Sequence, residues 1–106
     1  MSKILIVDDR YINREFLTTL LQYNKEYHVL EAKDGAEALE IVRNQHPDLV
    51  IADILMPTMD GYEFVRQVRA DPSIAQTRVM FYTAHFLRQE SRILANSCGV
   101  VHILLK

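Results

Sequence analysis

The stretch ILIVDDRY at residues 4–11 sets an apolar run directly against two adjacent acids, Asp8 and Asp9. Four apolar residues in a row are typical of a parallel strand that is covered on both faces. Two carboxylates about 4 Å apart repel each other by roughly 4 kcal/mol at an effective dielectric constant near 20. Either a loop directs both acids into water, or a bound cation offsets the repulsion.

Further segments of the chain alternate between strand-like and helix-like patterns. The continuous apolar runs are LVIA at 49–52, VMFY at 79–82 and VVHILL at 100–105, and the more alternating YHVLEA at 27–32 predicts a strand nearer an edge. Helical spacing lies between the strands, at 11–23, 35–45, 61–70 and about 87–98. Strands that alternate with single helices predict right-handed crossovers and a doubly wound parallel α/β sheet with helices on both faces.

The first predicted helix has an apolar stripe that repeats every four residues. We expect this stripe to face the core and the polar residues to take the other side. The stripe consists of Ile12, Phe16 and Leu20, widened by Leu17 and Leu21, and the polar side consists of Asn13, Arg14, Thr18 and Gln22.

The composition is that of one ordinary globular domain. The chain has 106 residues, 49% of them apolar and 25% charged, and its formal net charge is −2. The absence of a basic run disfavours nucleic-acid binding by this domain alone, and the absence of a long apolar span or secretory leader predicts a cytoplasmic protein that does not enter a membrane. One cysteine and four scattered histidines make zinc improbable.

Polar residues follow four of the predicted strands at their carboxyl ends. In a parallel sheet these ends lie at one edge, where ligands bind. Three carboxylates suit a hard divalent cation such as Mg²⁺, and an amine and a hydroxyl beside them suit a phosphoryl group. The residues are Asp8, Asp9, Asp53, Thr83 and Lys106.

The segments ILIVDDR, ADILMPTMDGYEF, VMFYTA and CGVVHILLK together resemble the successive signatures of the response-regulator receiver domain, the phosphoacceptor module of two-component signalling. The resemblance implies a flavodoxin-like five-stranded sheet of order 2-1-3-4-5. It implies that Asp53 accepts a phosphoryl group from a phosphohistidine on a sensor histidine kinase or phosphotransfer protein. The cofactor would be Mg²⁺, or Mn²⁺, held by Asp8, Asp9, Asp53 and the backbone carbonyl of Leu55, while Lys106 and Thr83 would contact the phosphoryl oxygens.

Several positions depart from the family pattern. Arg10 follows the acidic pair and should weaken metal affinity, and Ile103 stands where the family often has an aromatic residue that reports phosphorylation. Leu55 and His85, each two residues beyond a site residue, are expected to tune the lifetime of the acyl phosphate.

The family usually continues past its lysine into a fifth helix, whereas this sequence stops at Lys106. We therefore expect a single receiver domain over residues 1–106, truncated after the fifth strand. One face beside the first helix would then show apolar residues to water and offer a surface for self-association.

Three other functions are alternatives to a phosphorylation switch. The first alternative is a receiver-shaped dimerisation or docking scaffold without an efficient switch. A Mg²⁺-dependent phosphohydrolase is disfavoured because Leu55 stands where a second acid is needed, and a flavin module is disfavoured because the acidic pair repels a ligand phosphate. The prediction is a signalling domain with self-catalysed phosphotransfer and no separate small-molecule reaction.

Overall fold

The computed structural model describes residues 2–83 and 103–105. In these ranges strands and helices alternate as the sequence predicts. The elements are β1 (Ser2–Val7), α1 (Tyr11–Gln22), β2 (Tyr27–Ala32), α2 (Gly35–Gln45), β3 (Leu49–Ala52), α3 (Gly61–Ala70), β4 (Val79–Thr83) and β5 (Ile103–Leu105). The helix predicted near 87–98 and the first part of the last predicted strand lie outside the described residues.

All five strands form one parallel sheet in the order β2-β1-β3-β4-β5. This confirms the flavodoxin-like sheet and the edge position of β2. β1 pairs with two neighbours, so that Val7 lies opposite Ala32 of β2 and Ala52 of β3. The carboxyl ends of β1 and β3 therefore lie side by side.

The core lies between the sheet and the helices α2 and α3. The apolar runs of β1 and β3 are buried because both of their faces are covered, which explains why they do not alternate in sequence. The largest fully buried apolar side chains are Phe64, Phe81, Leu5, Ile6, Val7, Val42, Val50, Val65 and Val68.

Acidic caps begin both α2 and α3. The Asp34 carboxylate accepts a hydrogen bond from the Glu37 backbone N–H at 2.8 Å, and the Asp60 carboxylate accepts one from the Glu63 backbone N–H at 2.8 Å. Each cap satisfies an N–H that has no partner within the helix. Asp60 is thus the capping residue of α3.

Helix α1 packs on a different face from the one predicted. Ile12 is 77% exposed, and Phe16 and Leu20 are exposed as well, whereas Arg14 and Thr18 are partly covered. Leu17 and Leu21 are also partly covered, so the face toward the sheet combines these leucines with residues predicted to be solvated. An open groove of about 340 Å³ on the outer face is lined by Ile12, Glu15, Phe16, Thr19, Leu20 and Tyr23.

No helix in residues 2–83 has the length and apolar character needed to span a bilayer.

Candidate functional site

The acidic residues of the candidate site directly extend β1 and β3. The Asp8 N–H donates to the Ala32 carbonyl oxygen at 3.1 Å, and the Asp53 N–H donates to the Val7 carbonyl oxygen at 2.9 Å. The ladder of backbone hydrogen bonds thus continues one residue beyond each strand. As a result, both aspartates have fixed backbone positions at the carboxyl edge of the sheet.

Three carboxylates converge at this edge. One oxygen from each of Asp8, Asp9 and Asp53 lies within 4.8 Å of the other two. Asp8 is 2% exposed and Asp53 is 6% exposed, while Asp9 is exposed to solvent. We name these three residues the acidic cluster. Its oxygen donors match the chemistry of Mg²⁺, which proteins hold through a few carboxylates together with waters and phosphate oxygens.

Backbone N–H groups orient the two buried carboxylates. Oδ1 of Asp8 accepts a hydrogen bond from the Arg10 N–H at 2.9 Å, and Oδ1 of Asp53 accepts one from the Ile54 N–H at 2.7 Å. Hydrogen bonds to an ionised carboxylate are stronger than those between neutral groups. They fix the direction in which each carboxylate points.

The loop from β3 to α3 folds tightly beside Asp53. The Gly61 N–H donates to the Ile54 carbonyl oxygen at 2.7 Å, and the Met59 N–H donates to the Pro57 carbonyl oxygen at 2.7 Å. Thr58, between the latter two residues, has φ of 71°, a left-handed conformation that is unusual for a β-branched side chain. The loop leaves Leu55, two residues beyond Asp53, 52% exposed.

The structure describes some of the other predicted site residues but not all of them. Thr83 is the last residue of β4, and Ile103 begins β5 opposite Phe81, partly buried against the core. Lys106 and His85 lie outside the described residues. The structure therefore brings together Asp8, Asp9 and Asp53, while the contacts predicted for Thr83 and Lys106 remain predictions.

Sequence reasoning placed Arg14 on the solvated side of α1, and this was wrong. Nη1 of Arg14 donates to the Asp8 carbonyl oxygen at 2.7 Å. Arg14 precedes Leu17 by three positions and Leu21 by seven, which is the spacing of one helix face. That spacing was the available signal, but the more regular Ile12, Phe16 and Leu20 stripe obscured it.

An acidic cluster at the carboxyl edge of a parallel 2-1-3-4-5 sheet defines the class of α/β signalling domains that carry a phosphoacceptor aspartate. The family described as the response regulator receiver domain matches residues 4–106. The chain therefore belongs to the response-regulator receiver domain family.

Two curated relatives illustrate this membership. The chain is 43% identical over 83 residues to the alkaline phosphatase synthesis transcriptional regulatory protein PhoP of Bacillus subtilis (strain 168), across 76% of this chain and 30% of that protein. It is 46% identical over 68 residues to the response regulator MprA of Mycobacterium sp. (strain KMS), across 64% of this chain and 29% of that protein. The chain thus spans about 30% of the length of these relatives.

Solved receiver structures superpose on the whole chain. The N-terminal domain of a response regulator receiver protein from Methanoculleus marisnigri JR1 matches with a TM-score of 0.90 and 32% identity, covering 100% of this chain and 85% of that one. The chemotaxis protein CheY4 of Vibrio cholerae matches with a TM-score of 0.91 and 33% identity, covering 100% of this chain and 87% of that one.

Membership of the family sets the general role of the chain. Receiver domains are phosphoacceptor domains of two-component signalling and do not convert small molecules. They typically bind Mg²⁺ through an acidic pocket and interact with histidine kinases or phosphotransfer proteins. This chain carries an acidic cluster of three aspartates at the carboxyl edge of its sheet.

Proposed function

We propose that this domain is a phosphorylation-dependent switch in which Asp53 accepts a phosphoryl group from a phosphohistidine of a sensor histidine kinase or phosphotransfer protein. The observation that carries the proposal is the acidic cluster, in which Asp53 lies within 4.8 Å of both Asp8 and Asp9. A carboxylate among like charges needs a cation to approach a phosphate, and this need agrees with a metal-assisted transfer.

The transfer forms one bond and breaks one. An oxygen of the Asp53 carboxylate bonds to phosphorus while the phosphorus–nitrogen bond of the phosphohistidine breaks. The electron pair of that bond stays on the ring nitrogen, and a proton completes the neutral imidazole. Because the hydrogen bond from Ile54 fixes Oδ1 of Asp53, the carboxylate is oriented before the donor arrives.

Asp8, Asp9, Asp53 and the Leu55 carbonyl would hold Mg²⁺ or Mn²⁺. When bound, the cation supplies positive charge that offsets the repulsion among the carboxylates and the phosphoryl oxygens. The burial of Asp8 and Asp53 supports this assignment, since a cation bound there would offset the cost of burying like charges.

We assign Lys106 and Thr83 to the phosphoryl oxygens, on the strength of their positions in the family pattern. The ammonium would pair with one oxygen and the hydroxyl would follow, changing the surface formed by β4, β5 and the segment between them. Ile103 begins β5 and is a branched aliphatic residue, so this domain would transmit the change without an aromatic side chain that turns inward.

The test is intact mass after incubation with acetyl phosphate and Mg²⁺. We expect the wild type to gain one phosphoryl group and the Asp53→Asn variant to gain none. Asp60→Asn is the matched control, because Asp60 lies on the same loop but caps α3, and asparagine caps a helix equally well. A chelated sample should remain unmodified. Equal phosphorylation of the Asp53→Asn variant would refute the proposal.

A docking or dimerisation scaffold is the second candidate. The observation that favours it is the exposed stripe of Ile12, Phe16 and Leu20 on α1, since neighbouring exposed apolar side chains often mark an interaction site. Light scattering with and without a phosphoryl mimic such as beryllofluoride separates the two functions. A dimer that is insensitive to the mimic supports the scaffold, whereas a change of oligomeric state on adding the mimic supports the switch.

A further inference from the structure

The guanidinium of Arg14 lies beside the backbone of the acidic cluster. Nη1 donates to the Asp8 carbonyl oxygen at 2.7 Å, and Nε donates to Oε1 of Glu31 at 3.3 Å. The guanidinium carbon also lies 5.7 Å from the centre of the Tyr11 ring, within cation–π range. The Arg14 side chain is only 16% exposed, so it is held on several sides.

With the contact from Arg14, every polar group of Asp8 has a hydrogen bond that holds it in place. Its N–H donates to Ala32, its carboxylate accepts from Arg10, and its carbonyl oxygen accepts from Arg14. The Asp8 carbonyl and the Asp9 N–H belong to one planar peptide unit. Arg14 therefore sets the plane from which Asp9 projects.

Asp9 is the member of the acidic cluster that depends most on this plane. It is exposed, and within the described residues no hydrogen bond or ion pair holds its carboxylate. Asp8 and Asp53, in contrast, are buried and oriented by backbone N–H groups. The position of Asp9 is thus determined by its backbone alone.

Glu31 anchors the far side of the guanidinium. It lies on β2 opposite Ile6 of β1, so strand pairing fixes where its side chain originates. An arginine fork reaches two acceptors in different directions, whereas a lysine ammonium is a single point of charge. Lysine in place of Arg14 would keep the charge near the acidic cluster and lose the fork.

We propose that Arg14 is a positioning residue for the metal site: it holds the Asp8–Asp9 peptide so that the Asp9 carboxylate is oriented for Mg²⁺. The inference rests on the proposed function, because it assumes that the acidic cluster binds the cation. The positive charge of Arg14 lowers the affinity for Mg²⁺, whereas the orientation that Arg14 gives to Asp9 raises it. The second effect is the larger one.

Isothermal titration calorimetry with Mg²⁺ tests the inference. Arg14→Lys keeps the charge, so a loss of affinity reports lost orientation. We expect its affinity to fall about tenfold, the low end of the range for residues that orient metal ligands. Arg43→Lys is the matched control, since Arg43 pairs with Asp71 on an exposed surface and should leave Mg²⁺ affinity unchanged.

A double-mutant cycle shows whether Arg14 acts through Asp9. In an Asp9→Asn background, Arg14→Lys should change the remaining Mg²⁺ affinity by less than about twofold. A merely structural role would lower affinity equally in both backgrounds, and that result overturns the inference. If Arg14→Lys does not fold, Glu31→Gln takes its place and is measured at high ionic strength. A fall in Mg²⁺ affinity would then support the inference, and an unchanged affinity would overturn it.

The outcomes separate the two proposals. Wild-type protein that binds no Mg²⁺ overturns the proposed function and the inference together. Wild-type protein that binds Mg²⁺ beside an Arg14→Lys variant of equal affinity overturns the inference alone.

Discussion

A Cβ atom on Gly61 would lie 2.6 Å from the carbonyl oxygen of Asp53, a distance that real Cβ contacts do not show. The same atom would lie 2.9 Å from Cα of Ile54 and 3.1 Å from the Phe81 ring. The first residue of α3 thus packs directly on the backbone of the proposed phosphoacceptor. Glycine is required there for close approach, since its φ is not left-handed.

Gly61→Ala should therefore lower the free energy of unfolding by about 1–3 kcal/mol, the usual cost of overpacking. Gly35→Ala is the matched control at the start of α2. Its Cβ would meet Sδ of Met59 at 2.8 Å, but a methionine side chain can move aside where backbone cannot. Urea unfolding of both variants measures the difference, and equal stability would contradict the argument.

Asp8→Asn should stabilise the cation-free domain by about 1–2 kcal/mol, because it removes one charge from three neighbouring carboxylates. Asparagine keeps the oxygen that accepts from the Arg10 N–H. The gain should shrink when Mg²⁺ is added, since the cation offsets the same repulsion in the wild type. Urea unfolding in chelator and in Mg²⁺ tests this, with Glu40→Gln on the exposed face of α2 as the control. A less stable Asp8→Asn variant in chelator would argue against repulsion.

Arg10→Ala should raise Mg²⁺ affinity several-fold at low ionic strength. The Arg10 side chain is exposed, and alanine keeps the backbone N–H that donates to Asp8 at 2.9 Å. The substitution therefore removes charge alone, and salt should abolish the gain through screening. Calorimetric titrations at two salt concentrations measure it, and an unchanged affinity at low salt would show that the guanidinium does not oppose the cation.

Leu55→Asn should shorten the lifetime of the acyl phosphate several-fold. Leu55 is exposed two residues beyond Asp53. We expect its apolar side chain to slow the approach of the attacking water, whereas an amide there would hydrogen-bond to that water. Stability should change little, as is usual for exposed positions. Phosphate release from the isolated phosphoprotein gives the rate, and an equal rate in the variant would refute the role. His85 is predicted to act in the same way.

Ser73→Ala should lower stability at neutral pH, and this loss should shrink as the pH falls. The Ser73 hydroxyl and the Ser73 backbone N–H both donate hydrogen bonds to Oδ1 of Asp71. The hydroxyl makes the larger contribution, and together the two bonds hold the pKa of that carboxyl below its ordinary value of 3.8. A depressed pKa contributes stability that is present above 3.8 and lost as pH falls through the folded-state value. Urea midpoints at about pH 7 and pH 3 measure the contribution. A stability difference of the same size at both pH values would implicate packing instead.

The sequence predicted the strands and two helices well because single physical rules decide them. β3, α2 and α3 have the predicted bounds. A continuous apolar run marks the extent of the strand, and an Asp–Gly pair marks the start of each helix. The acidic cluster followed from the same logic, because parallel strands deliver their carboxyl ends to one edge.

The orientation of α1 could not be predicted, because the helix carries apolar residues on more than one side. Ile12, Phe16 and Leu20 compete with Leu17 and Leu21, and only tertiary packing selects between them. The contact of Arg14 with Asp8 depends on that choice, so it was missed too. The left-handed Thr58 has no sequence signal, because its conformation is imposed by the turn that closes the loop from β3 to α3.

The register that sets Val7 opposite Ala52 also ties the acidic cluster to the folding of the chain. Asp8 and Asp53 are distant in sequence, and only the pairing of β1 with β3 makes them neighbours. Parallel pairing between distant segments is a slow event in folding, because a long loop must close first. A newly made chain therefore has no acidic cluster until the centre of its sheet has formed, so an incompletely folded molecule would lack the proposed phosphoacceptor site.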